Sequence, residues 1–203
     1  MKLYDGGRVP NARRVRIFLA EKNIAVPTEP VDLGRNDHKT EAFSALNPLQ
    51  RVPVLVLDDG TVLTESIAIC RYFEEMHPAP ALFGEGARGR ALVEMWQRRL
   101  EFELYLPVAY AFRHLHPAMA TYEVPQVAEW GETNRVRALA YLAQLDADLG
   151  DRPFICGDTF SVADITGLVA LDFLKAARIA MPEGLSNVRR WHQALAARPG
   201  AQA

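Results

Sequence analysis

The stretch from Asn47 to Met76, NPLQRVPVLVLDDGTVLTESIAICRYFEEM, most constrains what this chain can fold into. It holds a short apolar strand entered through Pro53, a turn at Asp58-Asp59-Gly60, a second short strand, and the start of a helix at Glu65-Ser66. Proline is tolerated at a strand's first residue. Asp-Gly between two apolar runs is a hairpin signal, because both residues accept the positive φ of a tight turn. Residues 54–57 and 61–64 therefore read as an antiparallel pair. Ile69, Tyr72, Phe73 and Met76 follow at helical spacing, so 65–77 is expected to be a helix with those four side chains turned inward.

The residues before this stretch supply the rest of a sheet. Lys2-Leu3-Tyr4 reads as a strand stopped by Asp5-Gly6-Gly7. Pro10-Asn11 opens a helix with Asn11 as its N-cap, Val15, Phe18 and Leu19 on its apolar face, and Asn23 at its end. Arg13, Arg14 and Arg16 read as the solvated face of that helix. Residues 28–32 read as a second strand entered through Pro27, and 40–46 as a weak helix ending before Pro48. A right-handed crossover would set the first two strands side by side and parallel. The order βαβαββα over residues 1–78 is an α/β, thioredoxin-like layout. Residues 77–84, rich in Pro and Gly, read as a linker. Residues 85–203 show helical periodicity and little strand signal, which predicts an all-α C-terminal helical domain. Its helices are expected over 87–111 with a kink at Pro107, then 125–149, 161–177 and 187–197.

Composition excludes several classes. The chain has 203 residues, is 49% hydrophobic and 24% charged, and carries a formal net charge of -2, so it offers no nucleic-acid footprint and no polybasic membrane anchor. No run approaches the roughly 18 apolar residues of a membrane span, and the arginine-interrupted N-terminus does not read as a secretory signal. Cys70 and Cys156 have neither metal nor redox spacing, which fits a reducing, cytoplasmic compartment and no metal.

Two features of the Asn47 to Met76 stretch carry chemistry. The Val52-Pro53 step is either a trans proline opening a strand or a cis bond in a tight turn. A cis bond would turn the Val52 N–H and C=O outward from the sheet edge, where a short peptide could pair with them. Thr64-Glu65-Ser66 is either a simple helix cap or an anion site. A helix N-terminus presents N–H groups and the positive end of its dipole. Ser66 adds a hydroxyl for a carboxylate, and Glu65 adds a carboxylate for an ammonium. Together they suit the two charged ends of an α-amino acid. Elsewhere, Ser161 and Asp164 make a capping box with Asp in place of Glu, which reads as folding rather than catalysis. Cys156 reads as packed, and His114 and His116 have no clear metal partner.

These residues carry a resemblance. VPVLVLDDGTVLTESIAICRYFEE resembles the glutathione-binding stretch of the cytosolic glutathione S-transferase superfamily. PNARRVRIFLAEKNI resembles the first helix of bacterial members, and FICGDTFSVADI resembles the family's helix-capping motif in the C-terminal domain. The three lie in order across both expected domains. The resemblance implies a glutathione transferase that conjugates the glutathione thiolate to an electrophilic, partly apolar substrate. Glutathione would be a cosubstrate, no metal would be needed, and the protein would be a cytoplasmic homodimer acting in detoxification. Val52, through the turn at Pro53, would hold the cysteinyl backbone of glutathione. Glu65 and Ser66 would hold its γ-glutamyl end. His38, Lys39 and Gln50 would lie towards its glycyl carboxylate. The small residue that the family usually places near Gln50-Arg51 is absent.

The thiol-activating position departs from the family. Members use a Tyr, Ser or Cys after the first strand, whereas Asp5-Gly6-Gly7-Arg8-Val9-Pro10-Asn11 contains none of these. Asn11 is the first candidate, either as a hydrogen-bond donor to the thiolate or as a helix cap only, and Arg8 is the second. Among the aromatic residues of the long helix, Tyr105, Tyr110 and His114 are the choices for a second-substrate pocket. Two alternatives stay open: a peroxidase, dehalogenase or isomerase on the same scaffold, and a binding or interaction module without turnover.

Overall fold

Four short strands form one mixed sheet in the order β2-β1-β3-β4, in a computed structural model that describes residues 1–203. They are β1 (Lys2–Asp5), β2 (Thr28–Pro30), β3 (Val54–Val56) and β4 (Val62–Leu63). β1 is parallel to β2, with Leu3 opposite Thr28, and antiparallel to β3, with Leu3 opposite Leu55. The parallel pair needs a crossover, and α1 (Pro10–Glu21) supplies it. Asn23, at φ 54, ends the helix in the left-handed region that Asn tolerates. Thr40 caps α2 (Glu41–Leu46), its Oγ1 accepting from the Phe43 N–H at 3.3 Å. Gly60, at φ 84, turns β3 into the antiparallel β4, and α3 (Ser66–Met76) follows. The βαβαββα order is observed, with β1 one residue longer than expected and β2, β3 and β4 shorter.

The chain divides into two compact units, Met1–Ala81 with Pro199–Ala203, and Leu82–Arg198. The terminal turn Pro199–Gln202 thus groups with the sheet, although the sequence pattern placed it in the helical domain. The sheet's helix-facing core is built from Leu3, Val15, Phe18, Leu55, Ile69 and Phe73, all nearly inaccessible to solvent. On the other side, Val31, Phe43, Val52 and Val54 form a second cluster, with Tyr4 set edge-on to Phe43 at 6.2 Å.

Two expectations for this unit are corrected. The buried face of α3 is Ile69, Cys70, Phe73 and Glu74, and Met76 is exposed. Glu74 takes a core position because Lys22, whose side chain is fully buried, meets it at 2.7 Å. Lys22 Nζ also donates to the His77 and Pro80 carbonyls at 2.6 Å each, closing the C-terminal end of α3. The arginines of α1 are not a solvated face. Arg14 is buried, Arg13 Nη2 donates to the Ala201 carbonyl at 3.1 Å, and Arg16 reaches back to the β1–α1 loop. Apolar periodicity cannot show that a terminal turn and a loop cover a helix's polar side.

The second unit is helical. Leu82 and Phe83, in the expected linker, belong to its core, and the Val162 N–H donates to the Leu82 carbonyl at 2.9 Å. The expected long helix is three pieces: α4 (Gly86–Arg99), a π-helical stretch Leu100–Tyr105, and α5 (Leu106–Leu115). The π stretch precedes Pro107, which has no N–H to continue the ladder. α6 (Ala128–Leu149), α7 (Val162–Ala176) and α8 (Ser186–Ala196) follow. Gly167 lets α8 approach α7, since a Cβ there would lie 2.1 Å from the Trp191 ring.

Candidate functional site

Where the end of β1 meets the start of β3, Asn11, Asn47, Arg51, Val52, Pro53, Glu65 and Ser66 line an open depression. Three backbone segments build it. The first is the loop before β3. Asn47, buried, donates from Nδ2 to the Arg51 carbonyl at 2.8 Å and accepts the Leu49 N–H on Oδ1 at 3.1 Å. That side chain closes a turn whose Gln50 sits at φ 54. The Val52-Pro53 peptide is cis.

The second segment is the β1–α1 loop. Asp5 is buried and accepts the Gly7 N–H at 2.7 Å. Arg16 Nη1 donates to both Asp5 oxygens at 2.8 and 2.9 Å, and to the Gly7 carbonyl at 2.6 Å. One guanidinium from the middle of α1 therefore holds the loop that leads into that helix. Gly6 lets the two loops touch, because a Cβ there would fall 2.4 Å from Val52 Cγ2. Val9 occupies the cap position of α1 and Pro10 the first turn, where proline's fixed φ and missing N–H cost nothing. Asn11 is thus past the cap, inside the helix, and lines the depression. The N-cap reading of Asn11 is corrected accordingly.

The third segment is the start of α3. Glu65 has φ 67 and ψ 118, a sparsely populated conformation that costs on the order of 1–3 kcal/mol. No side chain caps the first turn. Ser66 follows, buried in the floor. Among residues lining the depression, Arg51 and Glu65 carry side chains of opposite charge. Both are exposed, and neither head group is engaged in a hydrogen bond or ion pair within the chain. The arrangement offers one carboxylate, one guanidinium, a hydroxyl and an amide at two helix N-termini. That set can hold a small ligand that carries both signs of charge.

The remaining expected site residues lie elsewhere. Arg8, Lys39 and Gln50 are exposed and do not line the depression, and Gln50 Nε2 donates to Ser44 Oγ at 3.0 Å. His38 is buried, and its Nδ1 has no hydrogen-bond partner. Burial first, then the Lys39 charge, pushes the His38 pKa down and favours the neutral ring. In the helical unit, Tyr105 is buried on the π stretch with its ring 6.3 Å from Phe173. Tyr110 is exposed beside Trp130, ring to ring 6.0 Å. His114 Nδ1 accepts the Val127 N–H at 3.0 Å, and Nε2 lies 3.7 Å from Glu123, so His114 ties down the loop before α6. Burial pushes the Cys156 thiol up to about 11, and Cys70 higher still. Neither thiol is a ready nucleophile. No three His, Cys, Asp or Glu side chains converge as a metal site.

Sequence reasoning missed Asn47 and Arg51. Asn47 stands before Pro48 as a turn-forming Asx residue, and Arg51 adjoins Val52, so both signals were present but local. The Asp5–Arg16 pair had no such signal, because its members belong to different elements.

Comparison with known proteins gives a consistent result. The model of the glutathione S-transferase N-terminal domain matches residues 10–76, and that of the glutathione S-transferase C-terminal domain matches residues 110–199. The chain is 36% identical over 205 residues to glutathione S-transferase 2 of Saccharomyces cerevisiae, covering 100% of this chain and 88% of that one. It is 34% identical over 174 residues to a maleylacetoacetate isomerase of Pseudomonas aeruginosa, covering 81% and 77%. The crystal structure of a glutathione S-transferase domain-containing protein from Marinobacter aquaeolei superposes with a TM-score of 0.91 at 37% identity, covering 98% and 99%.

Proposed function

Because the chain belongs to the glutathione S-transferase superfamily, we propose that it binds glutathione in this depression and directs the thiolate at an electrophilic, partly apolar substrate. The observation that carries the reading is the uncapped start of α3, with Ser66 in the floor of the same depression as Val52 and Asn11. The γ-glutamyl carboxylate takes the Ser66 hydroxyl and the first-turn amides, where the helix dipole favours an anion. The Glu65 carboxylate takes the neighbouring ammonium. The cysteinyl backbone pairs with Val52 beside the cis proline, as an extended peptide adds to a sheet edge.

That pose sends the thiol towards the start of α1. The Asn11 amide donates to the sulfur, and the positive helix end lowers the thiol pKa from its free value of about 8.5. An amide cannot accept the proton, so the proton leaves to solvent and Asn11 stabilises the anion that remains. The Asp5–Arg16 pair holds the loop that sets this geometry. Tyr105, Tyr110 and His114 stay candidates for the second substrate, with Tyr110 the most accessible of the three.

Calorimetry with glutathione tests the shared premise: micromolar to low millimolar affinity is expected, and no binding at millimolar ligand overturns it. Consumption of glutathione with a chlorodinitrobenzene then tests turnover. A second reading is favoured by the isomerase relative: glutathione-assisted isomerisation of an unsaturated acid. The two separate on stoichiometry, since conjugation consumes glutathione and isomerisation returns it unchanged. The homodimer implied by the family is tested by light scattering, where a mass near one subunit at micromolar protein counts against it.

A further inference from the structure

We infer that His114 and His116 form a pH-sensitive latch on the segment between α5 and α6, and that protonation of their rings releases the start of α6. The latch lies wholly in the helical unit and does not depend on what the depression binds. Val127 is the N-cap residue of α6, and no side chain caps that helix from within. The Val127 N–H goes instead to a ring on the preceding helix, where His114 Nδ1 accepts it at 3.0 Å. His116 repeats the arrangement at the other end of the segment, its Nδ1 accepting the Ala118 N–H at 3.2 Å. An imidazole that accepts through Nδ1 carries its one proton on Nε2. Both bonds therefore require neutral rings. A second proton goes to Nδ1 and sets a donor against a donor, which breaks the bond. Histidine is the side chain whose ordinary charge change falls between pH 5 and 8, and both rings are only partly buried, so solvent protons reach them.

The surroundings decide what protonation leaves behind. Glu123 is the charged group at ion-pair distance from His114, 3.7 Å from Nε2, and Arg113 holds the same carboxylate. It attracts the imidazolium and draws His114 from the Val127 N–H towards itself. α6 meets His114 with Gly131, where a Cβ would lie 3.1 Å from the His114 Cβ. The charges on elements packed against α5 are engaged elsewhere. Glu101 and Glu103 of the π stretch lie 3.6 Å from Arg98 and Arg137, Glu132 of α6 lies 2.6 Å from Arg135, and Asp172 of α7 lies 2.6 Å from His192. Glu129, in the first turn of α6, is exposed. The His116 ring rests against Phe112 at 5.0 Å. Two further holds use groups that do not ordinarily titrate between pH 5 and 8. They are Arg113 on Glu123, and Gln126 Nε2, which donates to the Arg113 and His116 carbonyls at 2.7 and 3.0 Å. Protonation therefore loosens the segment without unfolding the unit. It frees the first turn of α6 and with it Trp130, whose ring lies 6.0 Å from Tyr110.

The test is amide hydrogen exchange on the full native chain, followed by NMR from pH 8 to pH 5, with each rate corrected for the chemical pH dependence of exchange. Protection of the Val127 and Ala118 amides is expected to fall about 10-fold towards pH 5, the worth of one lost hydrogen bond. Val162, whose N–H goes to the Leu82 carbonyl, should keep its protection and serves as the internal reference. At pH 8, ring nitrogen shifts should place the proton of both histidines on Nε2. His114→Asn combined with His116→Asn offers Oδ1 in place of Nδ1 and does not titrate. That variant should hold both amides equally at pH 8 and pH 5. Native protection that does not change with pH at these two amides overturns the latch. So does a proton on Nδ1 at pH 8, and so does a fall in protection that persists in the double Asn variant. The first two outcomes are read on the native protein alone, so a variant that fails to fold leaves the latch open to refutation.

Discussion

Two serines open two helices in this molecule, and their surroundings are opposite. Ser161 precedes α7 in the helical unit, and every polar group around it has a partner. Asp164, fully buried, accepts from the Ser161 N–H at 2.9 Å, the Ser161 hydroxyl at 2.8 Å, the Ile155 N–H at 2.9 Å and Trp191 Nε1 at 2.9 Å. Ser66 opens α3 with no side-chain cap, behind a Glu65 whose backbone is strained, and beside an open depression. The closed helix start ties a loop, a helix and a tryptophan into one core. The open one leaves its donors beside the depression, where the proposed glutathione would take them. A hydroxyl at a helix N-terminus therefore says little by itself, and what lies beside it decides between folding and binding.

The largest effect expected from breaking this contrast is at Asp164. Asp164→Ala strands four buried donors, each of which then bears the cost of desolvation without a bond. A loss of about 3–5 kcal/mol in urea unfolding is expected, among the large single-residue effects. Glutathione affinity of the folded fraction should not change. A loss below about 1 kcal/mol would show that the cluster is not a keystone of the helical unit. Ser66→Ala is the mirror experiment. It should cost about 1.5–3 kcal/mol of glutathione binding, the value of a hydrogen bond to a charged group, and leave unfolding within about 0.5 kcal/mol. If stability falls and affinity holds, Ser66 is a cap after all and the contrast collapses.

Arg16→Ala sharpens the comparison from a third side, because this ion pair serves a loop rather than a helix end. The side chains of Arg16 and Asp5 are 24% and 9% exposed, so the pair is shielded enough to matter. Its removal leaves Asp5 with the Gly7 N–H and frees the Gly7 carbonyl. About 1–2 kcal/mol of stability is expected to go. The specific readout is the pKa of bound glutathione thiol, followed by thiolate absorbance, which should rise as Asn11 loses its fixed approach. Arg16→Lys should restore the charge but not the two-oxygen geometry, and so recover stability more than thiol pKa. An unchanged thiol pKa in Arg16→Ala would reduce the pair to packing.

How far the sequence reaches follows the same division. The βαβαββα order was legible because Asp59-Gly60, Pro53 and the apolar spacing of α1 and α3 are local signals. The capping box at Ser161 was legible because its partners are three residues apart. In the site, Val52, Glu65 and Ser66 were legible from one continuous stretch together with the family resemblance, and the structure sets them in one depression. What escaped was everything that depends on distant chain. Arg14 and Arg13 read as solvated because nothing in α1 says that Pro199–Gln202 lies over it. Glu74 was not named for the inward face of α3 because its partner, Lys22, lies at the end of α1. Asn11 read as a cap because its residue type favours that position, whereas Pro10 as the first helical residue puts the cap two residues earlier, at Val9.

His38 offers the smallest expected effect and completes the comparison with a third state: a polar atom that is buried and without a partner. Burial, then the Lys39 charge, lowers its pKa below the ordinary 6.5. In the interval between the lowered and the ordinary value, the unfolded chain binds the proton and the folded chain does not. Stability therefore rises with pH across that interval. The His38 contribution is complete above pH 6.5 and is lost as pH falls through 6.5 towards the lowered value. Urea unfolding at a series of pH values should show this slope in the native protein and lose it in His38→Asn. Equal slopes would mean that the ring is protonated as readily inside as outside. Glutathione adds a second readout by imidazole proton resonances. A glycyl carboxylate resting on His38 would raise its pKa on binding, whereas one held elsewhere leaves it where burial set it.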